Sequence, residues 1–150
     1  KTAELIQADL AQVGVTVKIV PVEGRFQEAR LMEMNHDLTL TGWATDSNDP
    51  DSFFRPRLSC AAIGSQTNFA HWCDAAFDET LQKALLSQQL ASRIEYYGKA
   101  QAMLAQSLPV LPLAYSLRLQ AYRHDIHGLV LSPFGNASFA GVYRDPRTKP

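Results

Sequence analysis

The chain has 150 residues, a length that suits one domain, and at 46% hydrophobic it can bury a core. Its 14 lysines and arginines against 15 aspartates and glutamates leave a net charge of −1, whereas a nucleic-acid or membrane-surface binder would carry a basic excess or patch. No apolar run of roughly 18 residues is present to span a bilayer, and no basic segment followed by an apolar stretch marks a signal peptide.

Thr2 is a candidate N-cap for a first helix. Ile6, Leu10 and Val13 give that helix one apolar face, and Gly14 can stop it in the left-handed conformation. The start at Lys1, with no initiating Met, leads us to expect a mature protein or a fragment of one. VTVKIVPV (15–22) alternates as a strand, with Val15, Val17 and Ile19 on one face. Phe26, Ala29 and Met32 predict a helix over 25–34. DLTLTGW (37–43) predicts a second strand, with Leu38 and Leu40 on one face and Thr39, Thr41 and Trp43 on the other. Strand, helix, strand in this order favours two neighbouring parallel strands joined by a right-handed crossover.

A turn-rich acidic segment follows, with Asp46, Asp49 and Asp51 close together. It lacks the glycine and glutamate of a calcium-binding EF-hand loop. Asp49 or Asp51 can cap a helix beginning near Ser52, with Pro50 in its first turn. Asp46 has no such role; it sits just past a strand's C-terminal end, where open α/β sheets place ligand-contacting groups. A hydrolase could use Asp46 with Asp49 or Asp51 as an acid–base pair. Trp43, bordering this segment, can line a pocket or fill the core, as can Phe53, Phe54 and Trp72.

Cys60 and Cys73 flank a polar loop and read as a disulfide staple, which would contribute about 3 kcal/mol and place the chain in an oxidising compartment. Two free buried thiols are the alternative. The spacing of Cys60, His71, Cys73 and Asp74 matches no familiar zinc pattern, and a His71–Cys73 nucleophile pair lacks an evident orienting group. His124 and His127 read as solvated turn residues. Asp74 predicts a cap for a helix with Phe77, Leu81 and Leu85 on its apolar face. A longer helix over 90–108 shows Ile94, Tyr97, Gln101 and Leu104 on one stripe and should stop before Pro109. PVLPLAYSLRLQAYR (109–123) alternates as a long strand or strand pair. The tail from Asp125 holds turn signals at 127–128, 132–133 and 135–136 and little core of its own; it is expected to pack on something else.

GWATDSNDPDSFFRP (42–56), the Cys60–Cys73 spacing, NFAHWCDAAFDETLQKAL, IEYYGKAQAML and SLPVLPL together resemble the dipeptide- and oligopeptide-binding proteins of bacterial ABC transporters. The resemblance implies an α/β fold, a mixed sheet flanked by helices, as the C-terminal portion of a two-lobed periplasmic binding protein. Residues 1–116 would belong to the second lobe, and 117–150 would cross the hinge and return to the first. It further implies non-catalytic capture of peptides, antimicrobial peptides among the candidates, in the periplasm for an inner-membrane permease, with no cofactor, no metal and no nucleic acid. Haem is an alternative ligand among relatives. Asp46, the aspartate of GW-x-x-D, would pair with the peptide's α-amino group. Main-chain groups of Gly42, Trp43 and Ala44 would pair with the peptide backbone.

Overall fold

The computed structural model describes residues 1–45, 47–115, 117, 119–132 and 137–145. Among them run six helices: α1 (Thr2–Gln12), α2 (Gly24–Met32), α3 (Asp51–Leu58), α4 (Ala61–Gly64), α5 (Ala75–Leu86) and α6 (Leu90–Ser107). Two short antiparallel ladders close the chain. β1 (Ile126–His127) pairs with β4 (Tyr143–Arg144), and β2 (Val130–Leu131) pairs with β3 (Ala137–Ser138).

The core sits where α3, α5 and α6 meet, and is built from Phe54, Leu58, Phe77, Leu81, Ala84, Tyr97 and Ala100. Asp74 starts α5 as expected, its carboxylate accepting the N–H groups of Ala76 (2.8 Å) and Phe77 (3.1 Å); such a cap is worth about 1 kcal/mol. Phe77, Leu81 and Ala84 then repeat at helical spacing and are all buried. Burying Phe77 and Leu81 contributes about 1.5–3 kcal/mol each. Alanines at 84 and 100 leave no bulk between α5 and α6. The Phe77 ring takes the edges of Trp72 (4.9 Å between centroids) and Phe54 (6.0 Å), arrangements that suit the ring quadrupole.

Several local expectations shift by a residue or two. Lys1, not Thr2, is the N-cap of α1, and Gly14 does stop it with φ 82°. Leu85, Ile94 and Gln101 face outward; Ala84 and Ala100 hold the buried positions. α6 ends at Ser107, and Leu108 turns left-handed directly before Pro109.

The larger correction concerns strands. Residues 15–22 and 37–43 form no ladder, and no parallel pair joins them; the described residues of 109–123 form none either. Val15, Val20, Val22, Leu38, Leu40, Leu111, Leu113, Leu117 and Leu119 are exposed. Alternation makes a strand only where a partner strand supplies a ladder of hydrogen bonds and a layer covers the apolar face; among the described residues these stretches have no such partner strand. Ser116 and Arg118 of the last stretch, and Pro133, Gly135 and Asn136 of the predicted turns, lie outside the described residues.

Cys60 and Cys73 are bonded to each other, with Cα atoms 4.5 Å apart. Inside that loop Asn68 is fully buried and donates to the carbonyls of Ser59 (3.1 Å) and Trp72 (2.7 Å), fastening its two ends a second time. In the tail, Asp125 is buried between Arg123 (3.0 Å) and Arg144 (2.6 Å). Gly128 has φ 75°, and a Cβ there would collide with the Gly141 carbonyl. His127 is not a free turn residue, since its ring lies 5.4 Å from that of Tyr143.

Candidate functional site

The segment 40–45 approaches α3 and is held at two points, Leu40 and Trp43. Gln27 of α2 donates to the Leu40 carbonyl at 3.0 Å, and the Trp43 indole N–H donates to the Ser52 carbonyl at 3.1 Å. Gly42, Trp43 and Ala44 are exposed, and among the described residues no main-chain hydrogen bond engages them. A short, anchored run of unpaired N–H and C=O groups can pair with another extended chain. Trp43 is 45% exposed and lies outside the core, so it lines a face. The Arg57 guanidinium lies 4.3 Å from its ring centroid and 4.4 Å from that of Phe69. Phe53 packs against the core from its edge, and Phe54 is inside it. Asp46 lies outside the described residues.

Asp49 and Asp51 are bound into the scaffold. Asp49 accepts the Asp51 N–H (3.0 Å), the Tyr97 hydroxyl (3.0 Å) and the Arg93 guanidinium, so one carboxylate joins the start of α3 to the middle of α6. Burial would raise the Asp49 pKa. The Asp51 N–H, the Tyr97 hydroxyl and the Arg93 charge outweigh it and hold the carboxyl below its usual range. Burial, and then the same bond, push the Tyr97 hydroxyl up to about 12. Asp51 instead pairs with Arg55 one turn on, at 3.1 Å. The capping role therefore falls to Asp49, although Pro50 occupies the N-cap position itself. Asp49 and Asp51 thus serve as scaffold partners of Tyr97, Arg93 and Arg55, which gives each a structural role without any acid–base chemistry. The disulfide likewise occupies both sulfurs that a zinc or thiol reading would need.

Sequence reasoning missed Arg57 as a neighbour of Trp43 and Phe69, and Arg93 with Tyr97 as partners of Asp49. Arg93 and Tyr97 stand four apart on α6, which puts them on one helix face; that spacing was the available signal.

The family model for bacterial extracellular solute-binding proteins, family 5 Middle, matches residues 1–65. The probable ABC transporter periplasmic-binding protein SapA of Escherichia coli (strain K12) is 81% identical over 145 residues, covering 97% of this chain and 26% of its own length. The resemblance to the solute-binding proteins holds along nearly the whole chain. A dipeptide binding protein from Pseudoalteromonas sp. SM9913, solved in complex with Met-Leu, superposes with a TM-score of 0.88 at 44% identity, over 96% of this chain and 28% of its own. The DppA periplasmic binding protein from Helicobacter pylori, in complex with the peptide STSA, gives 0.69 at 31% identity, over 72% and 22%. The chain thus spans about a quarter of the length of these relatives. The expected fold class, part of a two-lobed α/β binding protein, stands on these neighbours. The relatives are solute-binding proteins rather than enzymes.

Proposed function

We propose that this chain is part of a periplasmic protein that captures peptides and hands them to an inner-membrane ABC permease, without catalysing a reaction and without a cofactor. Residues 1–116 then belong to its second lobe, and 117–150 cross the hinge. The observation that carries this reading is the exposed main chain of Gly42, Trp43 and Ala44, without a main-chain hydrogen bond among the described residues and tied at Leu40 and at the half-exposed Trp43 indole. Main-chain pairing is indifferent to side chains, so it suits a carrier of many peptides. The Met-Leu complex of the Pseudoalteromonas relative and the name of the Escherichia coli one support the ligand class and the compartment. Exposed apolar stretches at 15–22, 37–43 and 109–123 fit a piece whose sheet is completed by the rest of a longer protein.

In this reading Asp46 anchors the peptide's free amino terminus. An ammonium drawn out of water between two lobes needs a counter-charge, and a carboxylate four residues beyond Gly42 supplies one through a charge-assisted bond. The test is a mass spectrum of small molecules released from the full-length protein on denaturation. Peptides with free amino termini are expected. Haem, or a turned-over substrate and its product, would overturn the reading.

A further inference from the structure

Trp43 is held by a feature of α3 that has no use in an ordinary helix. Pro56 lies inside that helix, four residues after Ser52. Proline carries no N–H, so the Ser52 carbonyl loses the donor that the next turn would supply. The Trp43 indole N–H takes that acceptor, at 3.1 Å. The neighbouring Arg57 lays its guanidinium against the indole face (4.3 Å) and against Phe69 (4.4 Å), while its Nη1 donates to the Thr67 carbonyl at 3.0 Å. Thr67 and Phe69 belong to the loop closed by the Cys60–Cys73 bond. A planar guanidinium suits this stacking in a way an ammonium does not.

We propose that Pro56 and Arg57 are positioning residues for the peptide-binding edge: Pro56 frees the Ser52 carbonyl for the Trp43 indole, Arg57 clamps the ring to the disulfide loop, and together they fix the 42–44 main chain for an extended peptide. This rests on the peptide-capture reading. Both residues act through Trp43. Preorganising an edge in this way lowers the ordering cost of binding. The proline lowers helix stability locally and improves the fit of a segment that lies outside the helix.

That trade gives a test that a purely structural role would fail. Pro56→Ala restores the helical N–H to Ser52, so α3 amides should become better protected from exchange. The Trp43 indole N–H, assigned by Trp43→Phe, should exchange about tenfold faster, the scale of one net hydrogen bond. Affinity of the full-length protein for Met-Leu, measured by calorimetry, should fall by about the same factor. Arg57→Gln should speed indole exchange and weaken Met-Leu binding with α3 protection unchanged, and Arg57→Lys should recover part of both. Unchanged indole exchange in Pro56→Ala and Arg57→Gln would overturn the proposal, as would faster exchange with undiminished affinity. A parent protein that binds no Met-Leu would overturn the peptide reading and this proposal with it, whereas unchanged exchange in a parent that does bind removes this proposal alone.

Discussion

Replacing Asp49 with alanine should cost far more than the loss of a helix cap. Three partners depend on the carboxylate: the Asp51 N–H, the Tyr97 hydroxyl and the Arg93 guanidinium. The lost first-turn bond costs about 1 kcal/mol. Tyr97 is only 5% exposed, so its orphaned hydroxyl adds about 1–3 kcal/mol. The Asp49 side chain is 40% exposed, so screening limits the Arg93 pair to about 0.2–1 kcal/mol. These terms share one group and do not strictly add; about 3 kcal/mol is expected, roughly a hundredfold rise in exchange rate. Hydrogen exchange of α3 and α6 amides in the full-length protein reads it directly. Asp49→Asn keeps an acceptor for Asp51 and Tyr97 and should cost about 1 kcal/mol. The pH dependence has a definite sign. A depressed carboxyl pKa in the folded state gives stability that is present above the ordinary carboxylate range and is lost as pH falls through the lowered value. The raised Tyr97 pKa gives stability that is full below about 10 and is lost as pH climbs through about 12. If Asp49→Ala changed protection no more than a substitution at exposed Asp9, α3 and α6 would not be joined through this carboxylate.

Removing the disulfide by Cys60→Ser with Cys73→Ser should destabilise the loop by about 3 kcal/mol and speed exchange of the Trp43 indole N–H, since Phe69 and the Thr67 carbonyl hold Arg57; an unchanged indole rate would separate the loop from the Trp43 face. Gly128→Ala should open the β1–β4 pairing, because φ 75° and the nearby Gly141 carbonyl both exclude a Cβ. Its mark is lost protection at Asp145, whose N–H donates to the Asp125 carbonyl at 2.9 Å, and retained protection would contradict the close approach. Asp125 is held well below the usual carboxylate range by the bonds from Arg123 and Arg144. The same ladder should therefore survive mild acid and loosen only when the pH falls through that lowered value; opening near pH 4, the ordinary aspartate range, would refute the pairing.

What the sequence disclosed and what it hid follow from the range of the forces involved. Asp74, Gly14 and the stop before Pro109 act on their own backbone neighbours, and all three appear in the structure. The cysteine pair could be read because the polar loop between Cys60 and Cys73 names its own closure. The strands at 15–22, 37–43 and 109–123 were written in alternation, yet alternation says nothing about where the partner lies. With no partner strand among the described residues, most of those apolar side chains stay exposed. The tail does lack a hydrophobic core of its own, with Val130, Leu131, Phe139 and Tyr143 exposed. What could not be read is the β1–β4 ladder beside a buried Asp125, because ion pairing between Arg123, Asp125 and Arg144 leaves no hydrophobic period. At the candidate site, Trp43 could be singled out from its place beside the acidic segment. Its partner Arg57 could not, since Arg57 meets Trp43 and Phe69 only through the fold.

The central claim is that Asp46 holds the amino terminus of a bound peptide. Calorimetry on the full-length protein with Met-Leu and its N-acetyl form, for the parent and for Asp46→Ala, tests it most directly. Breaking a buried charge pair costs about 3–5 kcal/mol, roughly a hundredfold to several thousandfold in affinity. Acetylation should weaken binding to the parent by a similar factor, and the two losses should not add, because both remove one interaction. If Asp46→Ala bound Met-Leu as tightly as the parent, and acetylation cost nothing, Asp46 would not be the anchor.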